Sequence, residues 1–198
     1  MTPPGVSRGR EIPRKTLHLM TAVVPIGLWC GVPQRVVATA LVSLFGVACA
    51  VEYGRRRSPA FAAHFTSTVG VLLRPHEVTF GVTGATWLLG AFAITCLSAP
   101  LGAAIAATWA GAVGDAAAAI VGRAWSQARA TSGKTFAGSA ACLITTALGA
   151  WWLAGFGAAA AGVLGVAAAM VERPRVALDD NVRVTVAVAI VAAVMLRL

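Results

Sequence analysis

The sequence predicts an all-α protein, a polytopic membrane bundle of about seven transmembrane helices. Three observations point there. First, 58% of the 198 residues are hydrophobic and only 12% are charged, where a soluble domain has about half and about a quarter. Second, the apolar residues fall into seven runs punctuated by proline and glycine. Third, fourteen of the sixteen Lys and Arg residues occupy alternate connections between those runs. The mean hydropathy is +0.79.

The runs cover 17–32, 36–51, 78–97, 101–121, 137–154, 156–171 and 182–198. A spanning helix needs about 17–25 residues, so several runs are short. Local bilayer thinning accommodates short spans. Frequent Gly, Ala, Ser and Thr let neighbouring helices approach closely. Pro33, Pro59, Pro75, Pro100 and Pro174 stand between runs, where proline starts or stops helices. Gly155 and Gly157 bracket Phe156 in a tight connection. Near 58–74, Phe61, Phe65, Val69 and Leu72 share one helical face, which suits an interfacial amphipathic helix, although a plain loop also fits. The whole chain, 1–198, reads as a single integral-membrane domain, with 1–13 as a cytoplasmic N-terminal segment.

Arg8, Arg10, Arg14 and Lys15 precede the first run. Arg55, Arg56, Arg57 and Arg74 follow the second, and Arg123, Arg129 and Lys134 follow the fourth. Arg173, Arg175 and Arg183 follow the sixth, leaving only Arg35 and Arg197 for the other side. The positive-inside rule then places the N-terminus in the cytoplasm and the C-terminus opposite. The net charge of +9 does not signal a nucleic-acid partner, because the bases sit in short clusters at the ends of apolar runs. The N-terminus lacks the order of a signal peptide. Cys30, Cys49, Cys96 and Cys142 all fall in apolar runs without a CxxC pair, so buried free thiols are expected. No internal repeat supports an inverted-repeat transporter.

All seven acids (Glu11, Glu52, Glu77, Asp115, Glu172, Asp179 and Asp180) lie on the basic side. Asp115 is inside the fourth run, where an ionisable residue is costly and usually functional; the alternative is a structural carboxylate paired with an arginine. It shares a helical face with Ala119 and Gly122, which leaves room for a ligand or another helix. Arg14, Lys15 and His18 fall on one side of a helix expected to start after Pro13. They suit a polyphosphate, or serve as a topogenic cluster. Lys134, Thr135, Gly138 and Ser139 open the fifth run as a phosphate cradle at a helix N-terminus. Ala128 replaces the first glycine of a Walker A loop, so this is no soluble P-loop. Asp179, Asp180 and Asn181 have the oxygens for Mg²⁺, while Asp180 or Asn181 also fits as a helix N-cap.

Taken together, six clusters stand in order: E-x-x-RK-x-x-H (Glu11 to His18), Glu52 with Arg55, R-x-x-E with TGAT (Arg74, Glu77, Thr83 to Thr86), GD-x-x-A-x-x-x-GR (Gly114 to Arg123), KT-x-x-GS (Lys134 to Ser139), and E with DN (Glu172, Asp180, Asn181). This series resembles the CTP-dependent polyprenol and lipid kinases, a family that includes dolichol kinase, phytol kinase and CTP-dependent diacylglycerol kinase. The resemblance implies γ-phosphoryl transfer from CTP to a membrane lipid alcohol with Mg²⁺ or another divalent cation. It carries functional roles onto Arg14, Lys15, Asp115 and Gly122. A mechanism built on these positions makes Arg14, Lys15, His18 and Asp115 catalytic, with His18 or Asp115 accepting the hydroxyl proton. Gly114, Gly122, Arg123, Lys134, Thr135, Gly138 and Ser139 would hold the nucleotide, and Asp115, Asp180, Asn181 and Glu77 the metal. After GR the family often has glycine and further basic residues, whereas this chain has Ala124-Trp125-Ser126-Gln127. Phosphatidate cytidylyltransferase is similar through the GD, GR and KT segment, but its C-terminal aspartate, histidine-glycine and D-R pattern is missing. A small ion-coupled transporter using Asp115 is a third reading.

Overall fold

The computed structural model describes residues 8–74, 77–78, 81–125, 134–173 and 179–197, with side chains from residue 14 onward. The described chain is all-helical. Its elements are α1 (Arg8–Met20), α2 (Val23–Trp29), α3 (Gln34–Arg57), α4 (Pro59–Val69) with a 3₁₀ turn (Gly70–Leu72), and α5 (Gly84–Ser98). They continue with α6 (Leu101–Ala124), α7 (Phe136–Trp152), α8 (Ala158–Glu172) and α9 (Asp180–Met195). Residues 1–7, Pro75, His76, Arg129, Gly133 and Arg175 lie outside the described residues, as do the side chains of Arg8, Arg10 and Glu11.

Each of the seven apolar runs contributes helix, with three departures from the expected boundaries. The first run is broken. Pro25 offers no amide hydrogen to the Thr21 carbonyl four residues back, and its ring crowds that turn. The chain therefore turns at Thr21 and Ala22, and the Thr21 hydroxyl donates to the His18 carbonyl at 2.6 Å. Secondly, α1 starts at Arg8 rather than after Pro13. Thirdly, the third run is helical only from Gly84 within the main helix, because Thr83 is the N-cap and its hydroxyl accepts from the Thr86 amide. Within the stretch 58–74 the chain is helical from Pro59 to Leu72, with the Ser58 hydroxyl capping α4.

Two helices, α3 and α6, are long and apolar enough to cross a membrane. They differ in placement: the apolar window of α6 is 67% buried and that of α3 only 17%. The central position of α6 follows from its alanines. Ala103, Ala106, Ala107 and Ala110 face Leu164 of α8 and Val184 and Val188 of α9. Ala104, Ile105 and Ala112 face Leu28, Leu41, Leu88 and Phe92 of α2, α3 and α5. Side chains this small let two helical layers close on one axis. Glycine does the same between α7 and α8, where a Cβ on Gly165 would come within 2.6 Å of the Leu143 carbonyl oxygen. Gly155 stands midway in the α7–α8 connection at φ +75°, a conformation that excludes most side chains, and the next residue, Phe156, is buried.

Many large apolar side chains point outward. Leu44, Val47, Ile94, Leu97, Trp152, Met170 and Ile190 are all exposed. Cys96 and Cys142 are buried free thiols as expected, but Cys30 and Cys49 lie on these outer faces and are exposed.

The Gly165 contact predicts that Gly165→Val destabilises the protein by about 1–3 kcal/mol through overpacking. Gly162 of α8 faces open space, so Gly162→Ala should be neutral or stabilising by roughly 0.5–1 kcal/mol. Thermal unfolding of the two purified variants checks the contrast.

Candidate functional site

Asp115 sits just after a π-helical turn, Ala110–Gly114, inside α6. One extra residue in a turn shifts the register of the rest of the helix and frees a backbone carbonyl, and such turns concentrate at functional sites. Here the Gly111 carbonyl accepts from His18 Nε2 at 2.6 Å. Lys15, three residues before His18 on α1, donates to Asp115 Oδ2 at 2.5 Å. His18 Nε2 lies 3.4 Å from the same oxygen. The Lys15 and Asp115 side chains are 7% and 4% exposed. The carbonyl can only accept, so His18 carries its proton on Nε2 and keeps Nδ1 as the acceptor when neutral.

A second network surrounds the N-terminus of α5. Glu52, at the end of α3, accepts from the Thr83 amide at 2.9 Å and the Thr86 hydroxyl at 3.3 Å, and pairs with Arg55 at 2.8 Å. Glu77 spends one oxygen on the Gly84 amide (2.9 Å) and the other on the Arg74 amide (2.7 Å). Its own carbonyl accepts from Arg55. Asn181 Nδ2 donates to the Gly84 carbonyl at 3.3 Å, tying α9 to α5.

The ion pairs continue from there. Arg74 reaches Asp179 at 3.2 Å and Asp180 at 3.6 Å. Lys134 lies 2.5 Å from Glu172 and 3.6 Å from Asp180. Asp179, and neither Asp180 nor Asn181, is the N-cap of α9, accepting from the Asn181 amide at 3.0 Å. The cap thus stands one residue earlier than expected, which leaves Asp180 to serve the two cations. Burial and then the adjacent Asp180 push the Asp179 carboxyl up. Burial and Asp115 act the same way on Asp180, but Arg74 and Lys134 outweigh them and hold it down. Burial alone would lower the Arg74 guanidinium; Asp180 and Asp179 outweigh it and raise it.

Beside these groups lies a pocket of ≈ 290 Å³. Arg14, His18, Glu77 and Asn181 line it with polar atoms, while Leu17, Phe65, Val69, Leu72, Leu73 and Leu88 form apolar walls.

The structure therefore gathers Arg14, Lys15, His18 and Asp115 with Asp180, Asn181 and Lys134. Arg14 and Arg123 also have partners of their own. The glycines and hydroxyls have packing roles. A Cβ on Gly122 would meet the Thr135 hydroxyl at 2.8 Å and the Gly138 Cα at 3.5 Å, so α7 fills the room expected beside Asp115. The Thr135 hydroxyl caps α7 by accepting from the Gly138 amide at 3.0 Å. A Cβ on Gly114 would meet the Thr146 hydroxyl. Ser139 is buried, and its hydroxyl has no protein partner among the described residues.

Among the described residues no three His, Cys, Asp or Glu side chains gather as a metal cage. Glu77 has both oxygens committed to amides. Asp115 gives one oxygen to Lys15 and Asp180 faces Arg74 and Lys134 with its two; with the Asn181 amide they are the oxygen donors that suit Mg²⁺, which is commonly held by one or two carboxylates plus the phosphates of its substrate. The sequence alone assigned no site role to Glu52, Arg55, Glu172 or the α4 wall of the pocket. The signal that could have flagged them is the confinement of every acid to the basic side. No protein-family model, curated protein or solved structure matches this chain.

The Glu77 geometry predicts that Glu77→Ala, which strands two amides, destabilises the protein by about 2–6 kcal/mol, at roughly 1–3 kcal/mol per buried unsatisfied group. Glu77→Gln, which keeps one acceptor, should lose about half as much. Limited proteolysis within 70–84 reports the difference.

Proposed function

We propose that this chain is a multi-pass membrane kinase that transfers the γ-phosphoryl group of CTP to the hydroxyl of a lipid alcohol. The observation that carries the reading is the pocket: its apolar walls meet polar groups of Arg14, His18, Glu77 and Asn181, and His18 in turn lies against the buried Lys15–Asp115 pair. A lipid alcohol has that shape of chemistry, a chain that wants hydrocarbon and one hydroxyl that wants a base. The motif series supports CTP as donor. Large apolar residues on the outer helix faces, with alanine, glycine and threonine inside, support lipid as the surrounding solvent and seven passes in all. The one-sided basic loops support a cytoplasmic N-terminus and a C-terminus on the opposite side.

In this mechanism the hydroxyl enters the polar end of the pocket beside His18. Nδ1 takes the hydroxyl proton as the oxygen bonds the γ-phosphorus. The bond from that phosphorus to the β–γ bridging oxygen breaks, and CDP leaves. Asp115 holds Lys15 and His18 in register and acts as their counter-charge. Arg14, Lys15 and Lys134 neutralise the triphosphate, since phosphoryl transfer depends mainly on positioning and charge. Asp115, Asp180 and Asn181 would hold Mg²⁺ with the nucleotide, and a bound Mg²⁺ would further neutralise its phosphate oxygens.

Purified protein given [γ-³²P]CTP, Mg²⁺ and a panel of lipid alcohols should label the lipid. His18→Gln should lower kcat by about 10²–10⁴-fold, the usual loss for a general base. Label entering the lipid from [α-³²P]CTP and phosphatidate would instead make the enzyme a cytidylyltransferase. Full activity in Asp115→Asn would contradict the assigned chemistry.

A further inference from the structure

We infer that Arg55 is a positioning residue that sets the width of the acceptor pocket by fixing Phe65 on its wall. The inference rests on the lipid-alcohol reading of that pocket. Helix α4 contributes one whole wall, through Phe65 and Val69 with Leu72 beyond, yet none of its own residues is buried. Its place is set by a few contacts with the end of α3. Phe61 lies against Gly54, where an added Cβ would meet the ring at 3.3 Å. Phe65 lies under the Arg55 guanidinium, 4.6 Å from centroid to carbon.

Arg55 is itself immobilised. Its side chain is 7% exposed and donates to the Glu52 carboxylate at 2.8 Å. A second nitrogen donates to the Glu77 carbonyl, and Glu77 lines the same pocket on the polar side. One planar group thus satisfies a carboxylate, a backbone carbonyl and an aromatic face at once. Lysine keeps the charge but offers neither the fork nor the flat face. The apolar wall and the polar end of the pocket are therefore held in mutual register by a single guanidinium. Thr21 and Leu88, from outside α4, line the same pocket as Phe65, so the ring position bears on how wide a chain fits behind the hydroxyl.

The test measures acceptor kinetics with single-chain and two-chain alcohols, and, independently, labelling by a photoactivatable long-chain alcohol without nucleotide. Arg55→Lys should raise the acceptor KM about three- to tenfold, the scale of a desolvated cation–π contact. The CTP KM and kcat should stay within about twofold, a split that a general loss of structure would not give. Phe65→Ala should shift kcat/KM toward the two-chain alcohol, and Phe65→Trp away from it. In the wild type the photoprobe should mark the peptide carrying Phe65 to Leu73, and Arg55→Lys should weaken that mark. Marking without any phosphoryl transfer leaves this inference standing and removes the kinase reading. An acceptor ratio unmoved by both Phe65 variants, a CTP KM that rises with the acceptor KM in Arg55→Lys, or no marking of that peptide would overturn it.

Discussion

Lys15 and Asp115 are buried charges a hundred residues apart in the chain, and neither is tolerable there without the other. Removing two ions from water costs several kcal/mol each, so such a pair persists only with close geometry and further hydrogen bonds. Here the pair joins α1 to the central helix α6 directly after its π-helical turn. Within that turn the Gly111 carbonyl accepts from His18, which sits one helical step beyond Lys15. One electrostatic constraint thus orients an imidazole, a carboxylate and an ammonium group at the edge of an apolar pocket. The alanine-rich α6 makes it possible by letting both helical layers close around Asp115.

The remaining charges repeat the arrangement at lower cost. Glu52 and Glu77 gather amides at the start of α5, and Asp179 caps α9. Arg74 and Lys134 meet at Asp180 from two different connections. Every acid with a described side chain therefore has a cation or an amide to answer it. A surface of topogenic lysines and arginines would need no such partners. The network closes one end of the bundle into a continuous polar layer, with a hydrocarbon-lined pocket opening beside it, and that juxtaposition is the basis of the proposed chemistry.

Much of this was legible in the sequence. The apolar runs marked the helices, and the cost of a carboxylate inside an apolar segment called for a partner at Asp115, which is Lys15 rather than an arginine. Arg14, Lys15 and His18 were assigned to one helical side, and His18 does meet Asp115. What one-dimensional spacing did not contain was which helix meets which. The face of Asp115, Ala119 and Gly122 left room for a ligand or another helix without saying which, and α7 occupies it through Gly138. Pro25 broke a run that hydropathy read as continuous, because apolarity says nothing about a missing amide hydrogen. The pocket wall of α4 was visible as an apolar stripe, but other lining residues of the pocket come from α1 and α5, far away in the chain. Glu77 looked like a ligand from its motif, whereas its two oxygens answer the amides of Arg74 and Gly84.

The central claim is that the Lys15–Asp115 pair holds α1 on α6, and a double-mutant cycle on the unfolding free energy of the purified protein tests it most directly. Lys15→Met and Asp115→Asn should each destabilise by about 3–5 kcal/mol, because each strands a buried charge. The double variant should lose far less than the sum of the two. Losses that add to within about 0.5 kcal/mol would mean that the two residues act independently, and would contradict the account.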